Sequence, residues 1–231
     1  MSGAEPFEGE RPRGGSTPRS GAARLRRAIA PGPRRPRLLV MVKEPRPGRV
    51  KTRLARGIGA VAAARWFRGA ALGTIRRLAR DPRWEVIVLV APDREGMASR
   101  VWPPELRRMA QGRGDLGARM ARALLGAPPG PAVLIGGDIP GVTPAHIAGA
   151  YAALAGADAV FGPATDGGFW LVGLARGGLA TPRGFLRGCR WSSPHALSDA
   201  ERSAAPLRLS RATTMRDVDD ARDLAALSSP R

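Results

Sequence analysis

LLVMVKEPRPGRVKTRL, residues 38–54, is the stretch on which the fold turns. LLVMV (38–42) is an apolar run with no polar break, the texture of a strand buried on both faces. KEPRPGRVK (43–51) follows at once as a loop. Pro45 and Pro47 stiffen it, and Gly48 lets the backbone come close to a ligand. Lys43, Arg46, Arg49, Lys51 and Arg53 place five cations within eleven residues. A stiff cationic loop directly after a buried strand suits a di- or triphosphate. The alternative is a solvated basic loop, and the spacing is not that of a P-loop.

The same texture recurs downstream. VIVLVA (86–91), AVLIG (132–136), ADAVFGP (157–163) and FWLVGL (169–174) read as strands, and 106–110 as a short polar one. Ala60–Ala79 and Leu116–Leu125 carry helical spacing. Thr143–Leu154 is a helix with Thr143 as N-cap and Pro144 at its first position. Two short helices and a small strand complete the chain. Strands alternating with helices indicate an α/β fold with a parallel sheet covered on both faces. Such sheets bind ligands at the carboxyl ends of their strands.

The 231 residues fit one domain with a tail, and 43% hydrophobic content supplies a core. A single cysteine, Cys189, excludes an internal disulfide framework and a multi-cysteine zinc site. The net charge of +19 invites a nucleic-acid partner. Two facts weaken that: Lys43 and Lys51 are the only lysines, and asparagine is absent, which points to coding bias. There is no run of five or six basic residues and no interleaved aromatics, so nucleic acid is disfavoured. Residues 1–37 hold nine arginines against three glutamates. Residues 1–36, rich in Arg, Pro and Gly without periodicity, are expected to be a disordered tail before a domain over 37–231. No stretch approaches the length of a membrane span, and the acidic start lacks the apolar core of a secretory signal. A cytoplasmic location is expected; oligomeric state is not legible.

Three further loops carry chemistry. In GGDIPGVTP (136–144), Asp138 follows a buried strand, where a carboxylate needs hydrogen bonds or a metal. Beside a phosphate loop, a hard oxygen ligand suggests Mg²⁺ or Mn²⁺, with a simple turn as the alternative. Asp166-Gly167-Gly168 reads either as a hairpin turn or as a substrate floor with Asp166 binding hydroxyls or acting as a base. In RDVDDARDL (216–224), Asp217, Asp219 and Asp220 suit helix capping or a divalent cation. GRGDLG (112–117) has G-x-G-x-x-G spacing but follows a polar mid-chain strand, which argues against a dinucleotide site. His146 and His195 are isolated, and Cys189 reads as structural.

In order, K-x-P-x-P-G-x-V-K-T-R-L (43–54), Q-G-x-G-D-L-G-x-R-M (111–120) and G-x-D-x-P-x-x-T-P (136–144) form a pattern. G-P-A-x-D-G-G-[FY]-[WY]-L-x-G-L (162–174), W-S-[ST]-P (191–194) and R-D-V-D-x-x-x-D-L (216–224) extend it. This resembles the domain-of-unknown-function 2064 proteins, a bacterial glycosyltransferase-like family, over about residues 37–227. It is more distantly similar to the 2-phospho-lactate guanylyltransferases. The resemblance implies a GT-A-like three-layer α/β/α sandwich with a mostly parallel sheet. It implies a metal-dependent glycosyltransferase with a nucleotide-sugar donor and a small-molecule acceptor, or a nucleotidyltransferase using an NTP. It assigns phosphate or nucleotide contacts to Lys43, Gly48, Lys51, Arg53, Gly114, Asp115 and Gly117. It assigns substrate contacts to Asp166, Gly167 and Gly168, catalytic roles to Lys51 and Asp166, and the cation to Asp138, Asp217 and Asp219. Gly137 and Ile139 stand where that pattern leads one to expect Thr or Ser, and Cys or Ser.

Overall fold

The computed structural model describes residues 35–175 and 181–215, with Met1 and Leu224. The chain divides into two units, Met1–Pro33 and Arg34–Arg231, and the strands and helices of the described residues lie in the second.

Seven strands among the described residues make one sheet: β1 (Arg37–Lys43), β2 (Glu85–Ala91), β3 (Arg107–Ala110), β4 (Ala132–Gly136), β5 (Ala159–Pro163), β6 (Phe169–Leu174) and β7 (Leu209–Arg211). Their order is β3-β2-β1-β4-β6-β5-β7. Every pairing is parallel except those of β6, which runs against β4 and β5. The reversal has a local cause. The turn 164–168 between β5 and β6 is far too short for the crossover that a parallel pair needs, so the two strands form a hairpin. The sheet is therefore mostly parallel, as expected.

The unbroken apolar runs are explained by the two cores they serve. In β1, Leu38, Val40 and Val42 pack on one face with Ala71, Ile75 and Leu78 of helix α2 (Ala60–Ala79). Leu39 faces the other way, with Met120 and Leu124 of helix α4 (Leu116–Leu125). Alternate residues of one strand thus supply two layers, so polar residues have no place in it. Helix α5 (Pro144–Leu154) joins the first core through Ile147, Ala150 and Leu154, and helix α6 (Ala196–Ser203) joins the second through Ala200. The result is a three-layer α/β/α sandwich.

Two helices depart from the sequence reading. The loop after β1 ends at Lys51, and Thr52–Ile58 is helix α1, which puts Arg53 in its first turn. Asp93–Ala98 is helix α3. Each buries one residue, Leu54 in α1 and Gly96 in α3, so neither shows the apolar spacing by which a helix is recognised. Helix α5 starts as expected: the Thr143 N–H donates to His146 Nδ1 at 3.1 Å in a capping box with Pro144 at the start.

Candidate active site

β1 and β4 are parallel neighbours, with Met41 opposite Gly136. Their carboxyl ends therefore open side by side, and the loops 43–51 and 137–143 leave from the same rim. Between them lies a cavity of about 390 Å³. Lys43, Arg49, Lys51, Gln111 and Asp138 bring polar groups to it, and Met41, Leu116 and Phe169 add apolar wall. Binding sites of this kind span about 300–1,000 Å³ with a few convergent polar groups. A larger groove of about 560 Å³ runs along α2 past Trp66, Pro140 and Leu224. Among the described residues, Arg65 is the only charged one on its wall.

The cavity centres on an ion pair. Lys51 Nζ lies 2.8 Å from Asp138 Oδ2. The Lys51 side chain is 8% exposed and that of Asp138 30%. Lys51 also lies over the Trp66 ring, 5.9 Å from its centroid. Its backbone is left-handed, φ 45 and ψ 49, where a side chain is disfavoured unless surrounding structure holds it there. Lys51 accepts the Ala55 N–H at 2.8 Å through its carbonyl, so the strained residue also opens α1.

Asp138 is held from behind. The Gly137 N–H donates to the Met41 carbonyl at 2.9 Å, tying the loop to β1. A Cβ on Gly137 would lie 2.6 Å from Val42 Cγ1, so the Thr or Ser of the family pattern would require Val42 to shift. Ile139 is buried in the first core, which explains the other departure. Arg77 of α2 donates to the carbonyls of Val142 at 2.9 Å and Pro140 at 2.8 Å. Arg77 belongs to no motif, and the sequence gives no signal for it. Gln111 stands inside a motif but carries no expected role. It is buried, and its Nε2 donates to Val42 O at 2.9 Å and Leu89 O at 3.0 Å, clamping the ends of β1 and β2.

The remaining expected residues fall into groups. Lys43 lines the cavity and is exposed. Arg46 and Arg49 share Glu95, at 2.9 and 3.7 Å. Gly48 is at the loop tip with φ 77, and Arg53 is exposed on α1. Asp115 is the N-cap of α4, accepting the Ala118 N–H at 2.8 Å. Gly114 precedes it, and its carbonyl accepts from Arg119 at 2.9 Å. Gly117 is a contact point: a Cβ there would sit 2.0 Å from Leu186 O and 2.6 Å from the Trp191 ring. Gly167, at φ 86, meets Pro194, where a Cβ would lie 2.4 Å from the carbonyl oxygen. So both glycines pack against the segment 186–194, which contains the W-S-S-P motif. Asp166 is exposed in the hairpin turn and accepts the Gly168 N–H at 2.9 Å. The turn reading of Asp-Gly-Gly is thus what the backbone displays. Asp166, Gly167 and Gly168 are not among the residues that line the cavity with Asp138. Asp217 and Asp219 lie outside the described residues.

The chemistry of Asp138 fits a hard divalent cation, since its carboxylate opens on the cavity and Oδ1 has no hydrogen bond to a described residue. No group of three metal-ligating side chains converges among the described residues. Burial pushes the Cys189 thiol up, aided by Asp199, so the neighbouring arginines do not activate it. No described helix is long and apolar enough to cross a membrane.

This strand order, with a cleft at the carboxyl ends of β1 and β4, defines the nucleotide-diphospho-sugar transferase class of fold. A proposed nucleotide-diphospho-sugar transferase from Desulfovibrio desulfuricans G20 shares it at 29% identity and a TM-score of 0.71, over 84% of this chain and 86% of that one. The chain belongs to the family described as uncharacterized protein conserved in bacteria (DUF2064), whose model matches residues 74–193. The fold is also that of a nucleotidyl transferase from Methanothermobacter thermautotroptrophicus (16% identity, TM-score 0.56, 84% of this chain and 96% of that one). Rv0371c of Mycobacterium tuberculosis H37Rv, solved in complex with manganese, is similar at 18% identity and a TM-score of 0.50, over 84% of this chain and 97% of that one. No curated protein matches the sequence.

Proposed function

We propose that the protein is a metal-dependent glycosyltransferase that takes a nucleotide sugar as donor and a small molecule as acceptor. The observation that carries this is the Lys51–Asp138 pair, 2.8 Å apart at the strand ends, in a cavity bordered by further cations. The 29% identity to a proposed nucleotide-diphospho-sugar transferase supports the choice of donor.

In this reading Lys51 and Arg53 hold the diphosphate, with Lys43 at the cavity rim. Gly48, Gly114, Asp115 and Gly117 shape the nucleotide side. Asp138, with Asp217 and Asp219, holds Mg²⁺ or Mn²⁺. The manganese complex of Rv0371c is consistent with that cation. When bound, the ion neutralises charge that builds on the leaving diphosphate. The acceptor hydroxyl approaches from the side of Asp166, Gly167 and Gly168, and Asp166 takes its proton. The new bond joins the acceptor oxygen to the sugar carbon as the bond to the diphosphate oxygen breaks. The enzyme works in the cytoplasm as a domain over 37–231, with 1–36 as an appended tail.

A second reading is nucleotidyl transfer, which the fold of the Methanothermobacter protein favours. The same cations would then bind a triphosphate, and pyrophosphate would leave. Incubation with a panel of nucleotide sugars and NTPs, with Mn²⁺ and candidate acceptors, tests both. Release of a nucleoside diphosphate supports glycosyl transfer. Release of pyrophosphate supports the second reading. Binding of neither class of nucleotide overturns both.

A further inference from the structure

The cation that fills Asp138 in this structure is a lysine. Lys51 Nζ stands 2.8 Å from Oδ2, about where a coordinated metal would draw on the same carboxylate. The ammonium is nearly buried, and the Trp66 ring flanks it. The backbone that delivers it is in the left-handed region, a conformation that surrounding structure has to hold. Resting on the reading of this cavity as a phosphate and cation site, each partner of the pair is also a ligand-binding group. Lys51 is the cation of the phosphate space, and Asp138 is the carboxylate facing the metal space. While they bind one another, neither is fully offered to its ligand.

We infer that Lys51 is a built-in stand-in for the metal, so that divalent cation and polyphosphate must bind as a linked pair. A divalent ion arriving alone meets a positive charge a few ångström away, in a partly enclosed site where like charges repel strongly. A polyphosphate arriving alone must take Lys51 from Asp138 and leave that carboxylate without its ammonium. When both arrive, Lys51 passes to a phosphate oxygen and the metal takes its place on Asp138. Linkage then requires that each ligand raise the affinity of the other by the same factor. The arrangement disfavours either ligand by itself.

The test is binding, without turnover. Mn²⁺ alone is titrated by the loss of its free-ion electron paramagnetic resonance signal, and pyrophosphate alone by calorimetry in the presence of chelator. Wild type, Lys51→Met and Asp138→Asn are compared as full chains, with thermal melts to establish that each is folded. Lys51→Met is expected to bind Mn²⁺ about ten-fold tighter than wild type, although it lacks a residue of the site. Asp138→Asn is expected to bind metal-free pyrophosphate tighter by a similar factor. Manganese affinity that is unchanged or weaker in Lys51→Met overturns the inference, as does unchanged pyrophosphate affinity in Asp138→Asn. Wild type and both variants failing to bind either probe sinks the reading of the cavity itself, and the inference with it.

Discussion

Two aspartates of this protein are each met by basic side chains, and they are built for different ends. Asp199 is enclosed, with 6% of its side chain exposed. Its Oδ2 accepts the Arg190 N–H at 3.0 Å and Nε at 2.8 Å, and its Oδ1 accepts Arg190 Nη2 at 2.9 Å and Arg202 Nη1 at 3.0 Å. Both oxygens are used and nothing remains to offer a ligand. Asp138 pairs through one oxygen with Lys51, and 30% of its side chain opens on the cavity. A saturated carboxylate fastens a loop, whereas a carboxylate with an open face can exchange its partner. The backbone repeats the contrast, since Lys51 sits in a disfavoured conformation and Asp199 lies in the ordinary first turn of α6.

The contrast is tested most severely at Asp138. Asp138→Ala is expected to lower turnover about a hundred- to a thousand-fold with an unchanged melting temperature. A loss of stability with activity per folded molecule intact would make Asp138 the fastener instead. Lys51→Met is expected to lower turnover about a hundred-fold, the smaller effect because Lys43 and Arg53 remain. Steady-state kinetics against donor concentration reads it. Gly117→Ala probes the fastening side. Its methyl has no room before Leu186 O, so it is expected to destabilise by about 1–3 kcal/mol, seen as a lower melting temperature.

How far the sequence displays this contrast depends on how local each signal is. β1, β2 and β4 are legible because a doubly buried strand admits no polar residue. Lys51 and Asp138 are legible as candidates because each lies in a loop that follows such a strand. That they pair is not, since the contact exists only once β1 and β4 lie side by side. Nothing in the sequence gives Arg77, Gln111 or Trp66 these roles, although Gln111 opens a motif: their partners are backbone carbonyls and an ammonium brought near by folding. The motif glycines carry a different signal. Gly117 and Gly167 each abut the 186–194 segment, and close packing and close ligand approach leave the same residue in the sequence. Helices α1 and α3 are hidden because one buried residue makes no period.

The mildest test acts through pH on Asp199 alone. The Arg190 guanidinium, then its backbone N–H, and to a lesser degree Arg202 hold the Asp199 carboxyl well below the usual carboxylate range. A group whose folded pKa is depressed gives stability that is fully present above its unfolded pKa, about 4, and lost as pH falls from there toward the folded value. Wild type is therefore expected to lose this contribution on acidification below about pH 4, while its arginine partners stay charged. Asp199→Asn removes the ionisable group and with it this dependence. At neutral pH the variant should melt lower than wild type, and the gap should narrow as the pH drops below about 4. A gap that stays constant with pH for Asp199→Asn would mean that the network contributes through packing rather than charge, and the contrast between the two aspartates would then rest on geometry alone.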